Sequence, residues 1–217
     1  MSLIPSRLNS AHRRLIIDAS VLINLLGSRA PGAVLRGLQR VFEIDEITLQ
    51  EVDTDPSTNY SALETLAELR QRGLLNVVQM SPEAYERFLE FTGADAPDDL
   101  DDGEAATLAH ASINDEYIAV IDEIKATRIA TAQNPPIETL NTLDLLSAPD
   151  LISRLGEENV ADVIYFALRN ARMRVPSSAR RWTAIFLGHA RATECPGLGR
   201  YSRMDALQFS HEVASGR

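Results

Sequence analysis

With a single cysteine, Cys195, the chain has no internal disulfide, which fits a reducing compartment, the cytoplasm. Long apolar runs are missing as well. None approaches the roughly 18 residues needed to cross a bilayer, so no membrane association is expected. The apolar run after Arg7, Arg13 and Arg14 is cut short by Asp18, which argues against a secretory leader. Lysine is nearly absent: of 21 basic residues only Lys125 is Lys, so amine chemistry has one candidate. There is no G-x-S-x-G elbow and no Walker phosphate loop. His12, His110, His189 and His211 are scattered and, with Cys195, show no zinc spacing. His110 reads as a packed or exposed side chain that lies within reach of a site on its helix.

What is present is ordinary for a globular protein with one substantial core: 217 residues, 45% apolar and 24% charged. The net charge of −10 is unevenly spread. Residues 1–149 carry 11 basic and 24 acidic side chains, net −13, whereas residues 150–217 carry 10 and 7, net +3. On average the first part repels polyanions unless cations offset its carboxylates locally. The tail suits phosphates or an acidic partner.

The chain is organised around LIIDASVLINLL, residues 15–26. Leu15, Ile16 and Ile17 make a buried strand, which Asp18 interrupts. Val21, Leu22, Leu25 and Leu26 then follow the spacing of one helix face. This is a strand, a tight junction carrying Asp18 and Ser20, and a helix folding back. Further strands are expected over 41–45, 74–80, 116–123 and 137–142. Helices are expected over 31–40, 61–73, 82–91, 104–112, 125–132 and, broken around Pro149, 143–155. This alternation predicts a parallel α/β sheet with helices on both faces over residues 1–149. Residues 150–217 read as a helical extension, with helices over 158–173, 177–190 (capped by Ser177 and Ser178) and 203–213.

Four acids recur where strands end or helices begin. Asp18 ends the first strand and Asp122 the strand over 116–123. Glu104 opens the helix just before that strand, and Glu51 is placed at a strand-to-helix junction. In a parallel sheet these lie near one carboxyl edge, where ligands bind. Converging carboxylates raise one another's pKa unless a cation sits among them, and oxygen-only ligation suits Mg²⁺ or Mn²⁺. Each also has a plainer role. Asp18 or Ser20 caps a helix, Glu104 favours a helix N-terminus, and Glu51 is a surface acid. Asp101 and Asp102 read as caps, Glu123 as a neighbour of the site, and Glu43, Asp45 and Glu46 as a solvated face.

LIIDASVLINLL resembles the opening of PIN-domain nucleases, the VapC-like toxins among them. LDDGEAATLAHA followed by IAVIDEIKATRIA resembles the second half of one branch of that family, so the likeness spans about residues 14–147. It implies a PIN-like parallel sheet flanked by helices, and metal-dependent endonucleolytic cleavage of RNA. By resemblance the catalytic acids are Asp18, Glu51, Glu104 and Asp122. Of these, Asp18, Glu104 and Asp122 hold Mg²⁺ or Mn²⁺, and Ser20 matches the family's small polar helper at the substrate. Glu104 stands where many members have Asp. The resemblance also implies one half of a toxin–antitoxin pair, with an antitoxin partner and a homodimer. The alternative is a catalytically inactive module of the same fold that binds RNA or protein. A phosphohydrolase of another α/β family is disfavoured, since Asp18-Ala-Ser lacks the second acid of an Asp-x-Asp nucleophile motif.

The tail after residue 150 is longer than in compact members. There Arg169, Arg172, Arg174, Arg180 and Arg181 fall within 13 positions. Arg180 and Arg181 lie in the first turn of an expected helix, where cations are disfavoured. They are therefore candidates for binding RNA phosphates or an acidic antitoxin segment.

Overall fold

The computed structural model describes residues 6–54, 60–93 and 100–215. Most of the breaker-rich stretch after Glu51 and of the acidic loop expected over 93–103 lies outside the described residues. In chain order the elements are β1 Arg14–Ile17, α1 Ala19–Gly27, α2 Pro31–Leu38, β2 Val41–Asp45, α3 Glu46–Thr54 and α4 Tyr60–Gln71. Next come β3 Asn76–Val78, α5 Pro82–Thr92, α6 Asp102–Ile113, β4 Tyr117–Val120, α7 Ile124–Ala132 and β5 Thr139–Leu140. The remainder is helical: α8 Thr142–Leu146, α9 Pro149–Leu155, α10 Glu157–Asn170, α11 Arg180–Thr193, a 3₁₀ segment over Pro196–Arg203, and α12 Ala206–Ala214.

The described chain forms two compact units. One comprises Leu8–Ile23 and Gln39–Thr142 and holds the whole sheet. Its strand order is β3-β2-β1-β4-β5 and every neighbouring pair is parallel, the α/β sheet expected from the sequence. Chain order reverses between β1 and β4, so their carboxyl ends flank the crevice where open α/β sheets bind ligands. Leu15, Ile16 and Ile17 are fully buried. Ile16, Ala119 and Ile121 pack with Phe88 and Phe91 of α5, with Leu108 and three alanines of α6, and with Ile129 of α7. The alanines let α6 lie close to the sheet, which brings its first turn to the strand ends. Ser81 caps α5 as expected, accepting from the Ala84 N–H at 3.2 Å.

Two local expectations need correction. Glu51 does not stand at a strand-to-helix junction: α3 begins directly after β2 and carries Glu51 in its second turn. Asp45 makes that abrupt start possible by accepting the Ile47 N–H at 2.8 Å. Nor are Glu43 and Asp45 solvated. Both are buried, and only Glu46 of the three faces water. Glu43 meets the Arg14 guanidinium at 2.9 Å, and Arg14 also donates to the Tyr117 hydroxyl at 3.0 Å. Asp45 Oδ2 lies 2.8 Å from Nε2 of the buried His110. His110 is thus committed to packing and to one carboxylate.

Removing His110 would leave Asp45 as a buried charge without its partner. The variant His110→Ala is therefore expected to lose about 3 kcal/mol of stability in denaturant unfolding. A loss below about 1 kcal/mol would show that the pair contributes no more than a surface one.

The second unit gathers Asn24–Leu38 and the chain from Leu143 on, with Ser6 and Arg7. Gly37 of α2 lies against α9, where an added Cβ would come within 2.7 Å of Leu151 Cδ1. Arg7 donates to the buried carboxylate of Asp144 from its backbone N–H at 2.9 Å and from its side chain at 2.6 Å. The helix α10 buries Val160, Val163, Ile164 and Ala167, the face its spacing predicts. In α11 the backbone breaks at Gly188, with φ 75° and ψ 163°. Ser177 and Ser178 do not cap it, because the cap position is Ala179, which makes no side-chain cap bond. Among the described residues no helix is long and apolar enough to cross a membrane.

Candidate metal centre

Asp18 is placed by backbone bonds on both sides. Its N–H donates to the Val120 carbonyl at 3.0 Å, extending the β1–β4 ladder, and its carbonyl accepts the Leu22 N–H at 3.1 Å to start α1. Asp18 Oδ2 accepts both the Ser20 N–H, at 3.1 Å, and the Ser20 hydroxyl, at 2.5 Å. Asp18 therefore caps α1 with a carboxylate that still faces the strand ends. The structure gives Ser20 the task of orienting that carboxylate.

The first turn of α6 supplies the opposite wall. Asp101 caps it, accepting the Glu104 N–H at 2.8 Å, as its sequence position predicts. The next free N–H, that of Gly103, donates to Glu51 Oε1 at 2.8 Å. A Cβ at residue 103 would lie 2.8 Å from Glu51 Cδ, so only glycine lets the α3 carboxylate reach this helix N-terminus. The positive end of the helix dipole favours a carboxylate there. The Asp-x-Gly-Glu pattern thus has three local purposes: Asp101 caps, Gly103 makes room, and Glu104 turns inward to 7% exposure.

One carboxylate oxygen each from Asp18, Glu51 and Asp101 lies within 4.8 Å of the others. Asp18 is buried, Glu51 half-buried and Asp101 exposed, so the group is open on one side. Burial pushes the Asp18 carboxyl up to about 6; the Ser20 hydroxyl opposes that and the charge of Asp101 adds to it. Glu51 rises to about 7, first through burial and then through Asp101, with the Gly103 N–H pulling back. Glu104 also rises to about 7, through burial and then the charges of Asp101, Asp18 and Glu123. The charge of Asp101 thus raises all three.

The structure brings Asp18 and Glu51 together and sets Glu104 in their field. Asp122 is held by Thr142. It lies half-buried two residues beyond β4, where its carboxylate accepts the Thr142 N–H at 2.8 Å and the Thr142 hydroxyl at 2.5 Å. Asp101 is the acid that sequence reasoning left out of the site. Its position three residues before Glu104, on the turn that faces the strand ends, is the signal that could have found it.

The donor set fits a hard divalent cation. It is all oxygen, drawn from three elements, and its carboxylates are held close at the cost of raised pKa values that a cation would relieve. Replacing Gly103 by alanine should push Glu51 out of this group. Mn²⁺ affinity is expected to fall about tenfold or more, as with other residues that position ligands, with the fold retained. Unchanged affinity in a Mn²⁺ titration would exclude Glu51 from the centre.

Arg180 and Arg181 lie in the helical unit, at the start of α11. Arg181 donates to Glu212 Oε1 at 2.7 Å and to the Glu212 carbonyl at 2.5 Å. The buried Nε of Arg180 makes no hydrogen bond, and its Nη1 would sit 3.5 Å from a Cβ added at Gly199.

A parallel sheet ordered 3-2-1-4-5, with carboxylates gathered at the carboxyl end of its central strand, defines an α/β protein with a candidate metal centre. A family model described as a PIN domain matches residues 14–181, more than half of the chain. The chain belongs to the PIN-domain family. Neither the curated proteins nor the solved structures contain a match to it.

Proposed function

We propose that this protein is a divalent-metal-dependent endoribonuclease that hydrolyses RNA phosphodiester bonds. The observation that carries this reading is the group formed by Asp18, Glu51 and Asp101, with oxygens within 4.8 Å of one another, in a PIN-domain chain. Bound Mg²⁺ or Mn²⁺ supplies positive charge that acidifies an attacking water and stabilises the departing oxygen. The catalytic set is Asp18, Glu51, Glu104 and Asp122, with Asp18, Glu104 and Asp122 as metal ligands by family resemblance; the geometry adds Asp101. Asp18 is kept in one orientation by Ser20, and Glu51 by the Gly103 N–H. Asp122 accepts two bonds from Thr142 and keeps lone pairs for another partner.

Residues 1–149 carry the nuclease in this reading, and residues 150–217 form a helical extension. Arg180 and Arg181 are its substrate-binding cations. Arg181, held by Glu212, adds field more than a free donor fork. A place as the toxin of a toxin–antitoxin pair, with an antitoxin partner and a homodimer, rests on the resemblance of LIIDASVLINLL to VapC-like toxins. A cytoplasmic setting rests on the lone, buried Cys195.

Incubation of the purified protein with mixed single-stranded RNAs tests the reading. Cleavage is expected with Mn²⁺ and none with chelator. The second reading, a non-cleaving module, draws on the engagement of Asp122 by Thr142. Mn²⁺ binding without turnover on any RNA would favour it.

A further inference from the structure

The helical unit carries a cationic groove whose residues the carboxylate centre does not use. It is a shallow, solvent-open depression of about 680 Å³ along the 3₁₀ segment and α12, lined by Arg200, Arg203, Met204, Gln208, His211, Glu212 and Ser215. Gln208, His211, Glu212 and Ser215 fall at i, i+3, i+4 and i+7, so α12 presents one wholly polar face to it. The apolar Leu207, 73% exposed, is not among the lining residues.

The charges in the groove are not balanced. Its single acid, Glu212, is held by Arg181 at 2.7 Å and approached by Arg200 at 3.6 Å. Arg200 also donates to the Tyr201 hydroxyl at 3.0 Å and lies over that ring. The side chains of Arg203 and His211 have no hydrogen-bond or ion-pair partner among the described residues, and both residues are exposed. Asp205, the nearest other acid in sequence, is occupied in capping α12, where it accepts the Gln208 N–H at 2.8 Å. Glu212 is thus neutralised from behind by Arg181. Arg181, Arg200 and Arg203 still outnumber Glu212 and Asp205, which leaves this solvent-open surface net positive.

We propose that this groove is an RNA-binding site that seats backbone phosphates on Arg203 and Arg200, with His211 and Gln208 as further hydrogen-bonding groups. Guanidinium forks suited to phosphate oxygens fit a phosphodiester chain. An amphipathic peptide would need an apolar strip, and here Met204 is the one apolar lining residue. The proposal deepens the ribonuclease reading by giving the substrate a seat outside the carboxylate centre, and it rests on that reading for RNA as the ligand.

The test is fluorescence anisotropy of a labelled single-stranded oligoribonucleotide, in chelator so that no cleavage occurs, at several salt concentrations. The wild-type chain is compared with the double variant Arg203→Ala/His211→Ala, whose two side chains hold nothing else together. Arg36→Ala removes one charge from an exposed position on α2 and serves as the control. The groove variant should bind RNA several-fold more weakly, with a salt slope shallower by about 0.7 for each phosphate it no longer neutralises, while the control follows wild type. A groove variant that binds like the control at every salt concentration overturns the proposal. So does a poly-glutamate peptide that binds the groove when RNA does not, since that assigns it to an acidic protein. Cleavage by the wild type with Mn²⁺ is scored separately. RNA binding that depends on the groove, without cleavage, keeps the site and removes the nuclease.

Discussion

Asp18→Asn is expected to reduce RNA cleavage to background while leaving the metal-free protein as stable as the wild type or more so. The two effects come from the same side chain. As a charge, Asp18 sits buried beside Asp101 and Glu51, where its carboxyl titrates near 6 rather than at its ordinary value. Removing that charge takes away a metal ligand and also relieves a repulsion. As a cap, Asp18 accepts the Ser20 N–H and hydroxyl, and asparagine can accept both bonds through its amide oxygen. The substitution therefore costs the helix little. Activity is read on single-stranded RNA with Mn²⁺, and stability by thermal melting in chelator. A melting temperature several degrees lower in the variant would mean that the carboxylate stabilises the fold and that the acidic group is not strained.

Stability of the metal-free protein should fall as pH rises from about 5 to about 8, and Mn²⁺ should restore it at the upper end. Asp18, Glu51 and Glu104 all have folded-state pKa values raised above their unfolded ones, to about 6, 7 and 7. Within that window the folded chain holds protons that the unfolded chain has released. Ionising the groups then favours unfolding, and the penalty is complete above about pH 8. For Asp18 alone a rise of about two pH units corresponds to at most ~3 kcal/mol. Glu51 is half-buried, so solvent screens its share. A cation that binds only the folded state adds about 2.7 kcal/mol at a hundredfold excess over its Kd. It binds the ionised carboxylates, so its effect grows with pH. Melting curves at pH 5, 6, 7 and 8, with and without Mn²⁺, measure both trends. A metal-free melting temperature that rises steadily across this range would contradict the shared-charge picture.

The parts of this site legible in the sequence were those written in local pattern. Leu15–Ile17 and Ile118–Ile121 are uninterrupted apolar runs, each followed by an acid, and such runs declare buried strands with a polar end. The cap of α6 was equally plain. What local pattern does not carry is which long-range neighbour an acid meets. Asp101 looked like a cap and is one, yet the same carboxylate faces Asp18 across the strand ends. Glu51 was placed at a strand-to-helix junction, whereas the Asp45 cap starts α3 early and puts Glu51 inside it, against the first turn of α6. Glu43 and Asp45 alternate with apolar residues as a half-exposed strand would. Their burial depends on Arg14, Tyr117 and His110, which come from three other elements. In each case the missing information is tertiary.

The most direct test of the central claim, that these carboxylates form a divalent-metal centre, is a Mn²⁺ titration followed by electron paramagnetic resonance at pH 7.5. The wild type is compared with Asp18→Asn and Asp101→Asn. Saturable binding in the wild type, weakened at least about tenfold in each variant, is the expected result. Equal binding in all three proteins, or none in the wild type, would contradict it.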